Sequence, residues 1–405
     1  MAIIPLSFID FVKTSGGIVT IFLLLISCYY IFLAWNSKKP FRTIDFFPNV
    51  SVMSYAWQSG NVIKRKIENF LNQDYPKDKM EIIIYDNWST DETSAICKDY
   101  QKRGLIKYYR PKRGYDRKSP VLDEAIKKMA TGDILVLTDP DGVCEKDWIK
   151  KIVQPFSDPK VGAAAGITHC GNWHKNLFTK LRAIEDEWWN NIAVTGRDGK
   201  IRITNFHPVC GCNYALRRNT WKDLGSTHGK SLLEDLVLSL DLHDKGWKVA
   251  VTDANVWQEE AENMQQYIRQ RKRWYSFKSF EMLRKKKRLD RLIGILPQGI
   301  QMSAIFSLFV LIGIMMQNSL LAKINSTNMI FAASPFIFHN IAIVWGIIKS
   351  KKLKFLPYIP IFLTFDALLQ LWCFIEIRIN WRKKQEWVKV SSGKYYHVGT
   401  KIRMD

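Results

Sequence analysis

Apolar and polar positions follow two regimes along the chain. Between Ser51 and Ile167, short apolar runs alternate with stretches of helical spacing. The runs predict strands over Ser51–Tyr55, Glu81–Tyr85, Leu105–Tyr109, Asp133–Thr138 and Val161–Ile167. The spacing between them predicts helices over Val62–Asn72, Glu92–Lys102 and Ser119–Met129. Strands alternating with helices predict a mostly parallel sheet covered on both faces. The second regime is long and apolar: Gly17–Trp35, Ile293–Met316, Met329–Ile348 and Phe355–Ile377. Each approaches the ~20 residues a helix needs to cross a bilayer.

The first run ends in Asn36, Ser37, Lys38, Lys39 and Pro40, with its positive charge after it and no small-residue cleavage site. That predicts an anchor rather than a signal peptide, with the amino terminus outside and the following domain cytoplasmic. Three further crossings would leave Arg382, Lys383 and Lys384 outside, against the positive-inside bias. Pro357, Pro360, Asp366 and Glu376 interrupt the last run, so it is expected to be re-entrant or interfacial. The expected division is an anchor over 1–44, a catalytic domain over 45–282, interfacial and transmembrane helices over 283–380, and a basic tail over 381–405.

Charge sharpens this picture. The 405 residues carry a net charge of +22. Such an excess suits nucleic acid, anionic lipid or phosphorylated substrates. The basic residues flank the apolar runs, as at Lys285–Arg288, which suits anionic headgroups. No zinc-finger, RNA-binding or basic-zipper signature is present, so nucleic acid is excluded as a partner. The seven cysteines are scattered; Cys210 and Cys212 lack a second pair at zinc spacing, and all are expected as reduced thiols.

In a parallel α/β sheet, ligands bind at the carboxyl ends of strands. Asp86 with Asn87-Trp88-Ser89 follows the second strand, and Asp139-Pro140-Asp141-Gly142 follows the fourth. Two acids around one residue can hold a divalent cation on a diphosphate, or merely shape an Asx turn. Gly211–Arg218 reads as a tight turn entering a strand, with His207 before it. Glu234-Asp235 opens a helix, where acids serve as dipole partners or as a general base. Gln270-x-x-Arg273-Trp274 places an amide, a guanidinium and an indole on one helical face. Arg269, Arg271 and Lys272 around it look like a basic juxtamembrane surface, and Trp188 and Trp189 like packing at the domain face nearest a membrane.

In order and spacing these four motifs resemble a membrane-integrated, inverting family-2 glycosyltransferase with a GT-A fold. The group includes cellulose, hyaluronan and poly-N-acetylglucosamine synthases and ceramide glucosyltransferases. The resemblance covers about residues 48 to 280. It implies an α/β, Rossmann-like GT-A domain plus α-helical transmembrane segments. It assigns Asp86 to the nucleoside base, Asp139 to the ribose or metal-bound diphosphate, and Asp141 to Mg2+ or Mn2+. Asp235 becomes the general base, supported by Glu234. Lys118, Gln270 and Arg273 reach the diphosphate, and Trp274 lines the acceptor site.

Three departures surround the expected nucleotide pocket: Tyr55-Ala56-Trp57-Gln58-Ser59, the indole of Trp88, and Val121-Leu122-Asp123. The activity implied is transfer from a nucleotide-diphosphate sugar, a UDP-linked hexose or N-acetylhexosamine, to an acceptor at the cytoplasmic face. Processive polysaccharide synthesis leads. The alternatives are single transfer to a lipid, and a degenerate membrane scaffold that binds nucleotide sugars. Membrane lipids are the remaining expected partners.

Overall fold

The computed structural model describes residues 15–37, 45–115, 117–188, 194–196, 207–225, 234–271 and 326–379. The chain forms two compact units. One comprises Lys39–Asp186, Ile203–Arg288 and Trp381–Asp405; the other comprises Met1–Lys38, Glu187–Arg202 and Leu289–Asn380.

The larger unit is built on an eight-stranded sheet in the order β3-β2-β1-β4-β7-β6-β8-β5. The strands are β1 Val50–Ala56, β2 Met80–Asp86, β3 Lys107–Tyr109, β4 Ile134–Thr138, β5 Val143–Cys144, β6 Val161–Cys170, β7 Asn213–Arg217 and β8 Lys248–Gln258. Four pairings are parallel: β1 with β2 and with β4, β2 with β3, and β6 with β8. β7 runs antiparallel to β4 and β6, and β5 antiparallel to β8. The sheet is therefore mixed, which corrects the expectation of a mostly parallel one. Four of the five expected strands, β1 to β4, lie in the half where each helical crossover returns the chain parallel; the fifth, β6, lies beyond the antiparallel β7. β7 instead follows the long excursion from β6 and enters from the opposite end. β8, with Thr252, Asp253 and Asn255 inside it, breaks the apolar run that marked the others.

Successive residues of a strand face opposite sides, and both sides are packed here. Val50, Val52, Ile82, Ile84, Ile134 and Val136 join one core with helices α2 (Gly60–Leu71) and α3 (Thr93–Lys102). Met53, Ile83, Tyr85, Leu135 and Leu137 join the other. There they meet Val121 and Leu122 of α4 (Lys118–Met129) and Leu238 and Leu242 of α8 (Glu234–Asp244). Between these helices in sequence lie α5 (Trp148–Ile152), α6 (Leu177–Trp188) and α7 (Arg218–Leu224).

In the smaller unit, α1 (Ser15–Asn36) packs against α9 (Ser326–Lys349), and α10 spans Ile359–Ile379. The Ser27 hydroxyl donates to the Pro335 carbonyl at 3.0 Å. Lys349 donates to the carbonyls of Ala34 and Ser37, placing a cation at the carboxyl end of α1, where the helix dipole favours it. The expected transmembrane segments are not found: among the described residues, no helix is long and apolar enough to cross a membrane. Polar residues interrupt these helices: Asn340 and the buried His339 in α9, and in α10 the buried Asp366, one of the residues on which an irregular last segment was expected. The expected span Ile293–Met316 lies outside the described residues.

Candidate active site

The antiparallel entry of β7 is what assembles the site. Its first residue, Asn213, pairs with Thr138, the last of β4. The turn before β7 is thereby brought beside Asp139, which follows β4. Lys118, the first residue of α4, reaches both: its Nζ donates to Asp139 Oδ1 at 2.6 Å and to the Gly211 carbonyl at 3.0 Å. The Gly211 N–H in turn donates to Asp235 Oδ2 at 3.0 Å. A continuous polar chain, Asp139–Lys118–Gly211–Asp235, therefore joins the strand-end acids to the acid pair at the start of α8. A Cβ on Gly211 would stand 3.3 Å from that carboxylate oxygen, so glycine gives Asp235 its close approach. A small cleft lies over the chain, lined by Lys118, Ser119, Gly211, Tyr214, Glu234 and Asp235.

The charges are mutually set. Burial pulls the Lys118 ammonium pKa down, but Asp139, ahead of Tyr85 and Glu234, outweighs it and lifts it well above the usual lysine value. Asp141 behaves oppositely. Burial first, then Asp139 and Glu259, push its carboxyl well above the usual carboxylate range, against the pull of Lys66. Lys66, on α2, is fully buried, with Nζ 3.5 Å from Thr138 Oγ1 and 3.7 Å from Cys144 Sγ. Burial lowers its pKa, with Cys144 and Asp141 opposing. Asp235 is oriented through both oxygens, since Leu236 N–H donates to Oδ1 at 2.8 Å.

Asp86 sits at the end of β2, fully buried. Its Oδ1 accepts from the Ser89 N–H and hydroxyl, and its Oδ2 from the Tyr108 hydroxyl at 2.6 Å, with Arg110 3.7 Å away. Through these bonds it braces the turn after β2. The neighbouring Asn87 clamps a second loop, exchanging hydrogen bonds of 2.8 Å with both the N–H and the carbonyl of Tyr115. Trp88, with φ at +61°, is held outward at 44% exposure, its indole N–H on the Pro111 carbonyl. The Arg110 guanidinium lies 4.9 Å from the indole ring centre. Sequence reasoning missed Arg110 and Lys66. Arg110 had a signal, since it stands directly after β3; Lys66 had none, because a single lysine within a helix reads as solvated.

Gln270 lies in the helical segment 264–271. Its amide donates to Glu260 Oε2 at 3.0 Å and accepts from Arg271 at 2.8 Å. Arg271, expected on a basic surface, is fully buried and paired with Glu185 of α6. Arg182 binds the same Glu185 together with Asp186 and Glu260. The helical spacing that exposed Arg271 on paper ignored the acids of α6 that receive it. His207 is buried; Trp188 is also buried and stacks on Tyr30 at 5.1 Å in the smaller unit. Arg273, Trp274 and Trp189 lie outside the described residues.

The sequence profile described as "Glycosyltransferase like family 2" matches residues 48–276, more than half of the chain. The chain belongs to glycosyltransferase family 2. Among curated relatives, this family-2 chain is 29% identical over 251 residues to the probable glycosyltransferase YdaM of Bacillus subtilis, covering 61% of this chain and 59% of that protein. It is 28% identical over 211 residues to the beta-monoglucosyldiacylglycerol synthase of Synechocystis, covering 51% of this chain and 42% of that protein. The chain thus spans about half the length of these relatives. The mannosyltransferase PcManGT of Pyrobaculum calidifontis, solved with GDP-Man and Mn2+, superposes with a TM-score of 0.58. That match covers 88% of this chain and 98% of the other at 18% identity, which shows the GT-A fold.

The donor set of Asp139 and Asp141 suits a hard divalent cation, since both offer carboxylate oxygens and repel each other without one. Among the described residues, no group of three or more His, Cys, Asp or Glu converges on a metal position. Asp139 and Asp141 would be the residues to hold such a cation, which would supply positive charge beside a bound phosphate.

Proposed function

We propose that the protein transfers a sugar from a nucleoside-diphosphate sugar to an acceptor hydroxyl, with inversion at the sugar carbon. The polar chain from Asp139 to Asp235 carries this reading. It sets Asp139 and Lys118 on one side, where Asp139 with Asp141 would hold a cation, and a backbone-oriented carboxylate on the other.

Asp139 and Asp141 would hold Mg2+ or Mn2+, which neutralises charge developing on the departing diphosphate. Lys118, held cationic by Asp139, adds a donor to the same charge. Asp235 keeps a lone pair on each oxygen beyond those taken by Gly211 and Leu236, and accepts the acceptor proton there. Glu234, in the same cleft, supports it electrostatically. Because Asp86 is engaged on both oxygens, base recognition falls to the platform it braces, the exposed Trp88 with Arg110.

For the acceptor we favour a lipid hydroxyl presented at a membrane. The supporting observation is the similarity to glucosyldiacylglycerol synthases, with a further such relative in Nostoc at 26% identity. A second reading, processive polymer synthesis, is favoured by the 26% identity over 249 residues to a cellulose synthase catalytic subunit of Pseudomonas fluorescens. We also propose that the protein is membrane-integrated with its catalytic unit cytoplasmic. The support is the sequence alone: the run Gly17–Trp35 carries no charge, and Lys38 and Lys39 follow it.

The test uses purified protein in lipid with Mn2+ or Mg2+ and a panel of radiolabelled nucleotide sugars. Label entering the organic phase is the expected result. Label in a long water-soluble product would establish the polymer reading instead, and absence of transfer from every donor would refute the transferase reading.

A further inference from the structure

The Gly211 peptide holds Lys118 with its carbonyl and Asp235 with its N–H. A cysteine stands on either side of it. The sulfurs of Cys210 and Cys212 lie 3.1 Å apart. Cys212 is buried, with its sulfur 3.5 Å from Thr168 Oγ1, whereas Cys210 is partly accessible. A disulfide needs about 2.05 Å between sulfurs, so an approach of about 1 Å would bond them.

We infer that Cys210 and Cys212 form a redox-modification site, and that their oxidation to a disulfide by a peroxide displaces the Gly211 peptide and switches off Asp235. The electrostatics fit a division of labour. The hydrogen bond from the Cys212 thiol holds the Cys210 pKa below the ordinary cysteine value, against burial. The same bond, reinforced by burial, raises Cys212. Cys210 is therefore the attacking sulfur. Its thiolate attacks one peroxide oxygen, the O–O bond breaks, and the second oxygen leaves as water after taking a proton. The Cys212 sulfur then displaces the oxygen of the resulting sulfenic acid, forming the S–S bond and releasing a second water. Two thiols and one peroxide thus give one disulfide and two waters.

A bond across a single intervening residue forces that residue to turn, and glycine is the residue that can. Turning Gly211 withdraws its N–H from Asp235 and its carbonyl from Lys118. Such strained disulfides are readily reduced again, as a reversible control requires. The effect on turnover rests on the transferase reading; the thiol chemistry does not.

The test treats the purified full chain with hydrogen peroxide and blocks free thiols with iodoacetamide under denaturing conditions. Tryptic peptide Ile203–Arg217 holds both cysteines. The expected result is loss of both alkylation sites without added oxygen, and return of both after dithiothreitol. Transfer activity should fall by at least ~10-fold in parallel and recover with the thiols, as misplacement of a catalytic group implies. Cys212→Ser, compared with its own untreated state, should lose this reversible response. Both cysteines still alkylated, or irreversible oxygen addition in place of the bond, would overturn the site. A disulfide that leaves turnover unchanged would overturn the switch. If the untreated protein transfers no sugar, the transferase reading fails while the alkylation count still decides the thiol site.

Discussion

Asp235 presents the same two features that a general base requires: fixed direction and a free lone pair. Backbone N–H groups of Gly211 and Leu236 fix the direction, one on each oxygen. In Asp235→Asn the nitrogen replaces one acceptor and cannot take a proton from a hydroxyl. Transfer should fall by ~10²- to 10⁴-fold, the usual worth of general base catalysis, while nucleoside diphosphate binding persists. Rate assays beside equilibrium binding of the nucleotide check this; equal loss of both would move Asp235 to the donor side. At this scale the sequence exposed the chemistry-bearing types, because the acids fall directly after predicted strands and at the start of a predicted helix. It did not expose who holds them. That Asp86 accepts from Ser89 and Tyr108 beside Arg110, or that Lys66 is buried against Thr138 and Cys144, depends on contacts between distant segments.

The element that aligns one side of the site is the loop after β3, and Glu124 of α4 anchors it. Its carboxylate accepts from the hydroxyls of Tyr109 and Tyr115 and pairs with Lys128. The tyrosine hydrogen bonds, followed by Lys128, lower its pKa from 4.5 to about 2. A carboxylate depressed in the folded state stabilises it above the unfolded pKa and loses that contribution as pH falls through the folded one. Glu124→Gln should therefore be less stable than the parent near neutrality, with the gap closing between pH 4.5 and about 2. Urea denaturation across that range reads it; a gap independent of pH would mean the charge contributes nothing. A second element-scale device is the buried set Arg182, Glu185, Glu260, Gln270 and Arg271, which ties the segment 264–271 to α6. Arg271→Leu removes a partner from the Gln270 oxygen and leaves Glu185 with Arg182, and should cost on the order of 1–3 kcal/mol. Denaturant midpoints measure it, and a loss under ~1 kcal/mol would place the pair among weak surface contacts. The helices and the parallel strands were legible because their apolar periods are regular. The antiparallel pairings of β7 were not, since pairing direction is set by crossovers that no local pattern encodes, and β8 was not, since Thr252, Asp253 and Asn255 break its apolar run.

For the whole molecule, the open question is what the net charge of +22 does. Two physical accounts give different attachments. Basic runs on anionic headgroups bind through Coulomb attraction, which salt screens within ~10 Å at 0.1 M. An inserted helix is held by apolar transfer, at ~0.8 kcal/mol per buried CH2, and is indifferent to salt. The uncharged sequence run Gly17–Trp35 is the ground for proposing the second account, with the basic runs setting orientation. The protein should therefore stay with membranes through a high-salt wash and leave only with detergent. Release by salt alone would assign the association to the charge and reduce α1 to a packing element of the smaller unit. That outcome would also change the acceptor. A chain held at the surface meets lipid headgroups but offers a growing polymer no path across, so salt release would count against polymer synthesis and leave lipid transfer standing.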